Sequence, residues 1–146
     1  MFSKFKILAV SLTLFISSAA YADLAIIGHP GTNAGELDIQ SAKKIFLGDR
    51  KSFPSGNHAT PMNHVVGSPD RKEFFSIVMN MPEFSYTRHW KRKMSKGIGH
   101  LPAELNSHEE VLHSIANTPG SIGYIDASKV DGTVKVLLTV KAFEGV

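Results

Sequence analysis

One short stretch, Gly67-Ser68-Pro69-Asp70, has the make-up of a helix start. Ser68 suits the N-cap, Pro69 the first helical position, and Asp70 and Glu73 the first turn. A helix start leaves backbone N–H groups without acceptors and carries a partial positive charge, and a serine hydroxyl adds one more donor. The chemistry open to such a turn is the holding of an oxyanion. A second constellation is cationic. Arg88-His89-Trp90-Lys91-Arg92-Lys93, with Lys96, surrounds the only tryptophan with basic groups. It reads either as a docking surface for an acidic partner, anionic lipid or nucleic acid, or as one helix with a solvated cationic face and Trp90 in the core. The second, plainer reading is preferred.

Other chemistries find little support. The chain has 7 His and no Cys, which removes disulfides, thiolate zinc sites, iron–sulfur clusters and thiol catalysis. Metal ligands on one helix face need spacings of three or four. His108 and His113 are five apart, His58 and His64 flank a strand, and His89 and His100 lie in different elements, so the histidines read as scattered surface groups. No Gly-x-Ser-x-Gly elbow occurs. Glu109 and Glu110 are adjacent on a helix and do not face each other. Gly120–Gly123 opens no helix and is no dinucleotide fingerprint. The expectation is a non-enzymatic protein without a cofactor or a metal.

The elements that must position these groups follow from pattern. Lys4 and Lys6, an apolar run Ile7–Ile16 and Ala20-Tyr21-Ala22 have the three-part anatomy of a cleavable secretory signal. The run is shorter than the roughly 20 residues that span a bilayer. Residues 1–22 are therefore expected to be removed, leaving residues 23–146 as one domain in the periplasm. Removal takes two lysines and no acid, so the net charge falls from +3 to +1 and the electrostatic case for nucleic acid lapses. Along the rest, 24–28 reads as a buried strand and 37–46 as a helix stopped at Gly48. Residues 59–66 read as a strand that Pro61 makes an edge or a late starter. The Ser68 helix follows, with Phe74, Phe75, Val78 and Met79 inward. A helix over 82–96 turns Phe84, Trp90 and Met94 inward. Ser107 and Glu110 form a capping box for a helix to Asn117. Strands at 121–126 and 134–140 complete the order β-α-β-α-α-α-β-β, an α/β domain with a central sheet flanked by helices.

Several pieces, in order, resemble the phosphate-binding proteins of ABC transporters, in the type II periplasmic-binding-protein superfamily. They are Ile45-Phe46-Leu47-Gly48, Phe53-Pro54-Ser55-Gly56, Gly67-Ser68-x-x-Arg71-x-x-Phe74, Trp90 in its aromatic helix, and Pro119-Gly120-Ser121-Ile122-Gly123-Tyr124. The resemblance implies a single lobe of that fold with a mixed sheet. It places Ser68 and Arg71, with Gly67, on the family's oxyanion turn, and His64 where larger members carry an arginine. Pro69 and Asp70 depart from it: one removes a backbone donor, the other puts a carboxylate where a hydroxyl stands. Asp70 then either accepts a proton from a protonated ligand such as hydrogen phosphate or marks a lost site.

The resemblance thus implies an exported solute-binding protein for inorganic phosphate or a similar oxyanion. A lone lobe leaves the anion half exposed, so tight binding would call for a homodimer or a partner. The alternative is an interaction module that has abandoned the ligand and docks on a membrane transporter or sensor protein through Arg88, Lys91, Arg92 and Lys93.

Overall fold

The computed structural model describes Thr13 and residues 23–142. The leader reading of residues 1–22 therefore lies, Thr13 apart, outside the described residues. Every residue of β1 (Leu24–Gly28) is buried. Strand side chains alternate between faces, and both faces of β1 are covered. Leu24 and Ile26 enter one core, Ala25 and Ile27 another. This explains why the strand is apolar throughout rather than alternating.

The sheet has five strands, in the order β3 (Ala103–Leu105), β2 (Thr60–His64), β4 (Ser121–Asp126), β1, β5 (Lys135–Val140). β1 runs antiparallel to β4 and β5, while β2 runs parallel to β3 and β4. One face carries α1 (Ile39–Phe46), α2 (Pro69–Phe74) and α3 (Glu83–Ser95); the other carries α4 (His108–Asn117). The α/β architecture, one layer of sheet between helices, is as the sequence implied. Among the described residues no helix is long and apolar enough to cross a membrane.

Several local expectations are revised. The helix expected over 37–46 starts later, because Asp38 caps α1, accepting from the Ser41 N–H at 2.7 Å. β2 is no edge strand; β3, a three-residue strand absent from the sequence reading, flanks it. Pro61 is tolerated because Thr60 donates its N–H to Gly120 O on the β4 side. The next backbone nitrogen faces the other way, where β3 pairs only from Met62. Phe84 and Met94 point outward at 63% and 54% exposure, and Tyr86 with Trp90 forms the inward face of α3. α2 continues as a π-helical turn, Phe75–Met79, closed by Asn80 at φ 48°.

Two packing features hold the site's frame. Phe74 stacks flat on Tyr124 with ring centroids 3.8 Å apart, and Phe46 meets Phe74 edge-on at 4.7 Å. Each such pair is worth roughly 0.5–1.5 kcal/mol beyond its burial. Trp90 locks α3 to the end of α1, its indole N–H donating to Phe46 O at 3.3 Å. Gly48 sits at φ +68°, and a Cβ there would lie 2.6 Å from Trp90 Cη2. Only glycine fits that turn.

Candidate functional site

Parallel β2 and β3 both end at the same edge of the sheet and both lead into helix starts. β2 ends at His64, and Val65 donates its N–H to Leu105 O at 3.0 Å, bringing the two exits side by side. β4 ends at that edge too, at Asp126. Crevices outside the carboxyl ends of such strands are where α/β folds hold ligands. Here the crevice is a cleft of about 450 Å³ walled by His64, Ser68, Asp70, Ser107, His108 and Asp126 among others.

Both helix starts are serine-capped. Ser68 Oγ accepts from the Arg71 N–H and Ser107 Oγ from the Glu110 N–H, each at 3.1 Å. Each hydroxyl keeps its own proton to give. Glu110 closes its capping box one residue early, accepting from Asn106 N–H at 2.9 Å. Gly67, at φ +91° with open space around its Cα, makes the turn into α2. Ser107 was read from the sequence only as a cap; its place opposite Ser68 comes from the β2–β3 pairing, which the sequence reading lacked.

Asp70 is buried within the cleft wall. Its Oδ2 accepts from the Asp126 N–H at 3.0 Å and from His108 Nε2 at 2.8 Å, tying α2, β4 and α4 together. Among the described residues its Oδ1 has no partner, and it is not sealed from solvent: Thr32 Oγ1 is the sole sealed, unpartnered side-chain oxygen or nitrogen there. Oδ1 is a spare acceptor on a residue that walls the cleft.

Two expected ligand groups are corrected. Arg71 does not face the cleft with a free guanidinium. It is 2% exposed, with Nε and Nη2 on the two Glu83 carboxylate oxygens at 2.6 and 2.8 Å. Nη1 donates to His64 O at 2.8 Å and Glu104 Oε1 at 3.2 Å. Its plane lies near the rings of Phe75 and Tyr86, 5.0 and 5.6 Å from the centroids. Burial works against its charge, but the Glu83 hydrogen bonds and charge outweigh it, so the pKa moves up. Four of its five N–H groups are committed within the protein.

His64 is no stand-in for a cation either. The ring is 3% exposed and stacks on Tyr124. Its Nε2 lies 2.6 Å from Tyr124 O and must donate to it. Burial lowers its pKa despite the Tyr124 carbonyl and Asp70, so the ring is neutral and Nδ1 is an acceptor. Of the histidines expected to be scattered surface groups, only His64 is in the core; His108 and His89 are half-buried, the one bound to Asp70 and the other with Nε2 2.7 Å from Leu47 O. Among the described residues no group of three or more His, Asp or Glu side chains is placed to hold a metal ion.

The cationic candidates divide. Arg88, Lys91 and Arg92 are exposed on α3, Arg88 lying 5.7 Å from the Phe84 ring centroid. Lys93 turns inward to Asp49 Oδ1 at 2.8 Å and Gly48 O at 3.2 Å, which takes it out of any free cationic face.

The fold has solved counterparts. A phosphate ABC transporter substrate-binding protein with bound phosphate from Clostridium perfringens is similar at 19% identity and TM-score 0.64, over 81% of this chain and 45% of that one. An ABC-type phosphate transport receptor from Vibrio cholerae is similar at 16% identity and TM-score 0.62, over 80% and 46%. PstS from Borrelia burgdorferi is similar at 16% identity and TM-score 0.54, over 73% and 42%. No family model and no curated protein sequence matches the chain. The chain thus carries the fold of these phosphate-transport binding proteins over somewhat less than half of their length.

Proposed function

We propose that the chain is an exported, periplasmic, non-enzymatic solute-binding protein whose cleft holds a protonated oxyanion, hydrogen phosphate being the reference ligand. The observation that carries this is the convergence of two serine-capped helix starts on one cleft, in a fold shared with phosphate-binding structures. Ser68 and Ser107 donate hydroxyl protons. First-turn amides of α4 add donors and a favourable dipole. Asp70 Oδ1 and His64 Nδ1 accept, so the ligand must bring a proton of its own. Gly67 shapes the turn. Arg71 acts at one remove, holding β2 and α2 in place.

The cleft's charge sets the affinity. Asp70, Asp126 and Glu109 line it, and Arg71 is offset by Glu83 and Glu104. An anion therefore gains little from Coulomb attraction, and half-exposed hydrogen bonds are worth little net. A homodimer or a membrane transporter or sensor that covers the cleft completes the site under this reading.

The test is thermal unfolding of the protein with phosphate, and with sulfate at matched ionic strength. Sulfate carries no proton at neutral pH and meets Asp70 only with repulsion. A ligand at 100 times its Kd stabilises by about 2.7 kcal/mol, about 10 °C for a domain of this size. A shift with phosphate and none with sulfate, lost in Ser68→Ala, supports the reading; equal shifts or none overturn it.

One observation favours the second reading, a module that binds no solute. Asp70 already places a carboxylate on the donors of Asp126 and His108, an anion built into the cleft. Such a module would dock through Arg88, Lys91 and Arg92. Capture of a membrane partner lost in Lys91→Gln/Arg92→Gln, with no phosphate response in either form, is its signature.

A further inference from the structure

At the opposite end of β2 from the cleft lies a second cavity, of about 240 Å³, between the end of α1 and the loop after α3. Its floor is apolar: Ile45, Pro61 and Trp90. Gly48 and Gly99 border it and lie close against the benzo edge of Trp90, which is 3% exposed; a Cβ on Gly99 would lie 3.6 Å from the ring. The ionisable side chains of the lining are all cationic or imidazole, Arg50, Lys51, His58 and His100, with no carboxylate among them. Among the described residues none of the four forms an ion pair. The nearby Asp49 is instead taken up by Lys93 and His89.

From this combination we infer a second ligand site, for a small organic anion with an apolar ring or branched chain, such as an aromatic carboxylate. The size fits. An apolar cavity of about 150 Å³ suffices for benzene, which leaves room here for a carboxylate. The apolar body lies against Pro61, with only the edge of Trp90 behind it, and the carboxylate meets Arg50 and Lys51 at the mouth. This is the division of labour of small-molecule sites, an apolar lining with a few placed polar groups. Inorganic phosphate, having no apolar body, is not a ligand of this site, so its fate is independent of the cleft at the other end of the sheet.

Trp90 is the chain's single tryptophan, so its indole N–H gives one assignable signal in a proton–nitrogen correlation spectrum. The ¹⁵N-labelled protein is titrated with benzoate, with its neutral counterpart benzamide, and with phosphate, at constant ionic strength. Benzoate is expected to move the indole signal saturably. Benzamide, and benzoate against Arg50→Gln/Lys51→Gln, should bind at least about fivefold more weakly, the upper end for one solvent-exposed charge pair. Among the described residues neither substituted side chain forms an ion pair, so an unchanged Tm checks the variant's fold. No saturable shift with benzoate, equal binding of benzamide, equal binding by the variant, or an equal response to phosphate each overturns the inference.

Discussion

Replacing Arg71 by Met separates a structural arginine from a ligand-binding one. Met keeps the length and packing of the aliphatic stem, so the loss falls on the guanidinium. His64 O loses a buried donor at 2.8 Å; stranding such an acceptor costs about 1–3 kcal/mol. Contact with Phe75 and Tyr86 adds about 0.5–1 kcal/mol. Glu83 and Glu104 are each 39% exposed and turn to water when released. Their ion pairs therefore add only about 0.5–1 kcal/mol together, well short of the 3–5 kcal/mol for breaking a sealed pair. Relief of the guanidinium's own desolvation offsets part of the sum. The net is about 2–3 kcal/mol, or about 10 °C in Tm. Differential scanning fluorimetry of wild type and Arg71→Met, with and without phosphate, reads both quantities. Tm should fall by this amount in buffer, and the phosphate-induced increment should survive. A variant with wild-type Tm that has lost the phosphate increment would show the guanidinium to be a ligand group and refute its assignment to the frame.

Four further outcomes follow from the same geometry. Ser68→Ala removes the cap on the Arg71 N–H and should cost about 1 kcal/mol, roughly 4 °C by thermal melt. Asp70→Asn should erase the discrimination between phosphate and sulfate, measured as the difference in their Tm shifts. Gly48→Ala forces a side chain into Trp90 at positive φ and should cost about 2–4 kcal/mol, seen as a lowered denaturation midpoint and altered Trp90 fluorescence. His64 supplies a pH dependence. Its folded pKa lies below the ordinary 6.5, so below pH 6.5 the unfolded chain binds the proton first. The stability it contributes is present above 6.5 and lost as pH falls toward the folded pKa. Melts between pH 7.5 and 5 should show that decline, and His64→Gln should flatten it.

What was legible in the sequence was what is local. Ser68 and Ser107 declare their helices because a cap, its proline or acid, and the apolar face lie within a few residues of one another. β1 and β4 are continuous apolar runs whose ends are marked by Pro30-Gly31 and by Pro119-Gly120. Arg71 was misread because its partners are not local. Glu83 lies 12 residues on, across a π-helical turn and into another helix, and Glu104 lies 33 on, in a strand of three residues with no periodicity to detect. His64 failed for the same reason: its acceptor, Tyr124 O, is 60 residues away. Phe84 and Met94 misled because the basic residues around Trp90 leave no clean apolar stripe. The phase of α3 is set by Tyr86 and Trp90 meeting Phe75, Phe46 and Gly48.

Under the solute-binding reading, these long-range bonds decide what kind of binding the cleft can support. Had Arg71 faced it, attraction to any anion would dominate and discrimination would be poor. With Arg71 consumed by two glutamates, the groups left at the cleft are hydroxyl donors, helix-start amides and two acceptors fixed at known positions. Such a set ranks ligands by where their protons are rather than by how much charge they carry. A site that presents an open acceptor rejects the ligand lacking the matching donor, because burying that acceptor unpaired costs more than the bond returns. That penalty is felt only when water is shut out. The same selectivity that Asp70 offers therefore stays weak in an open cleft and grows once a second surface covers it. Under the solute-binding reading, discrimination between phosphate and sulfate should accordingly widen in whatever assembly closes the mouth between Ser68 and Ser107.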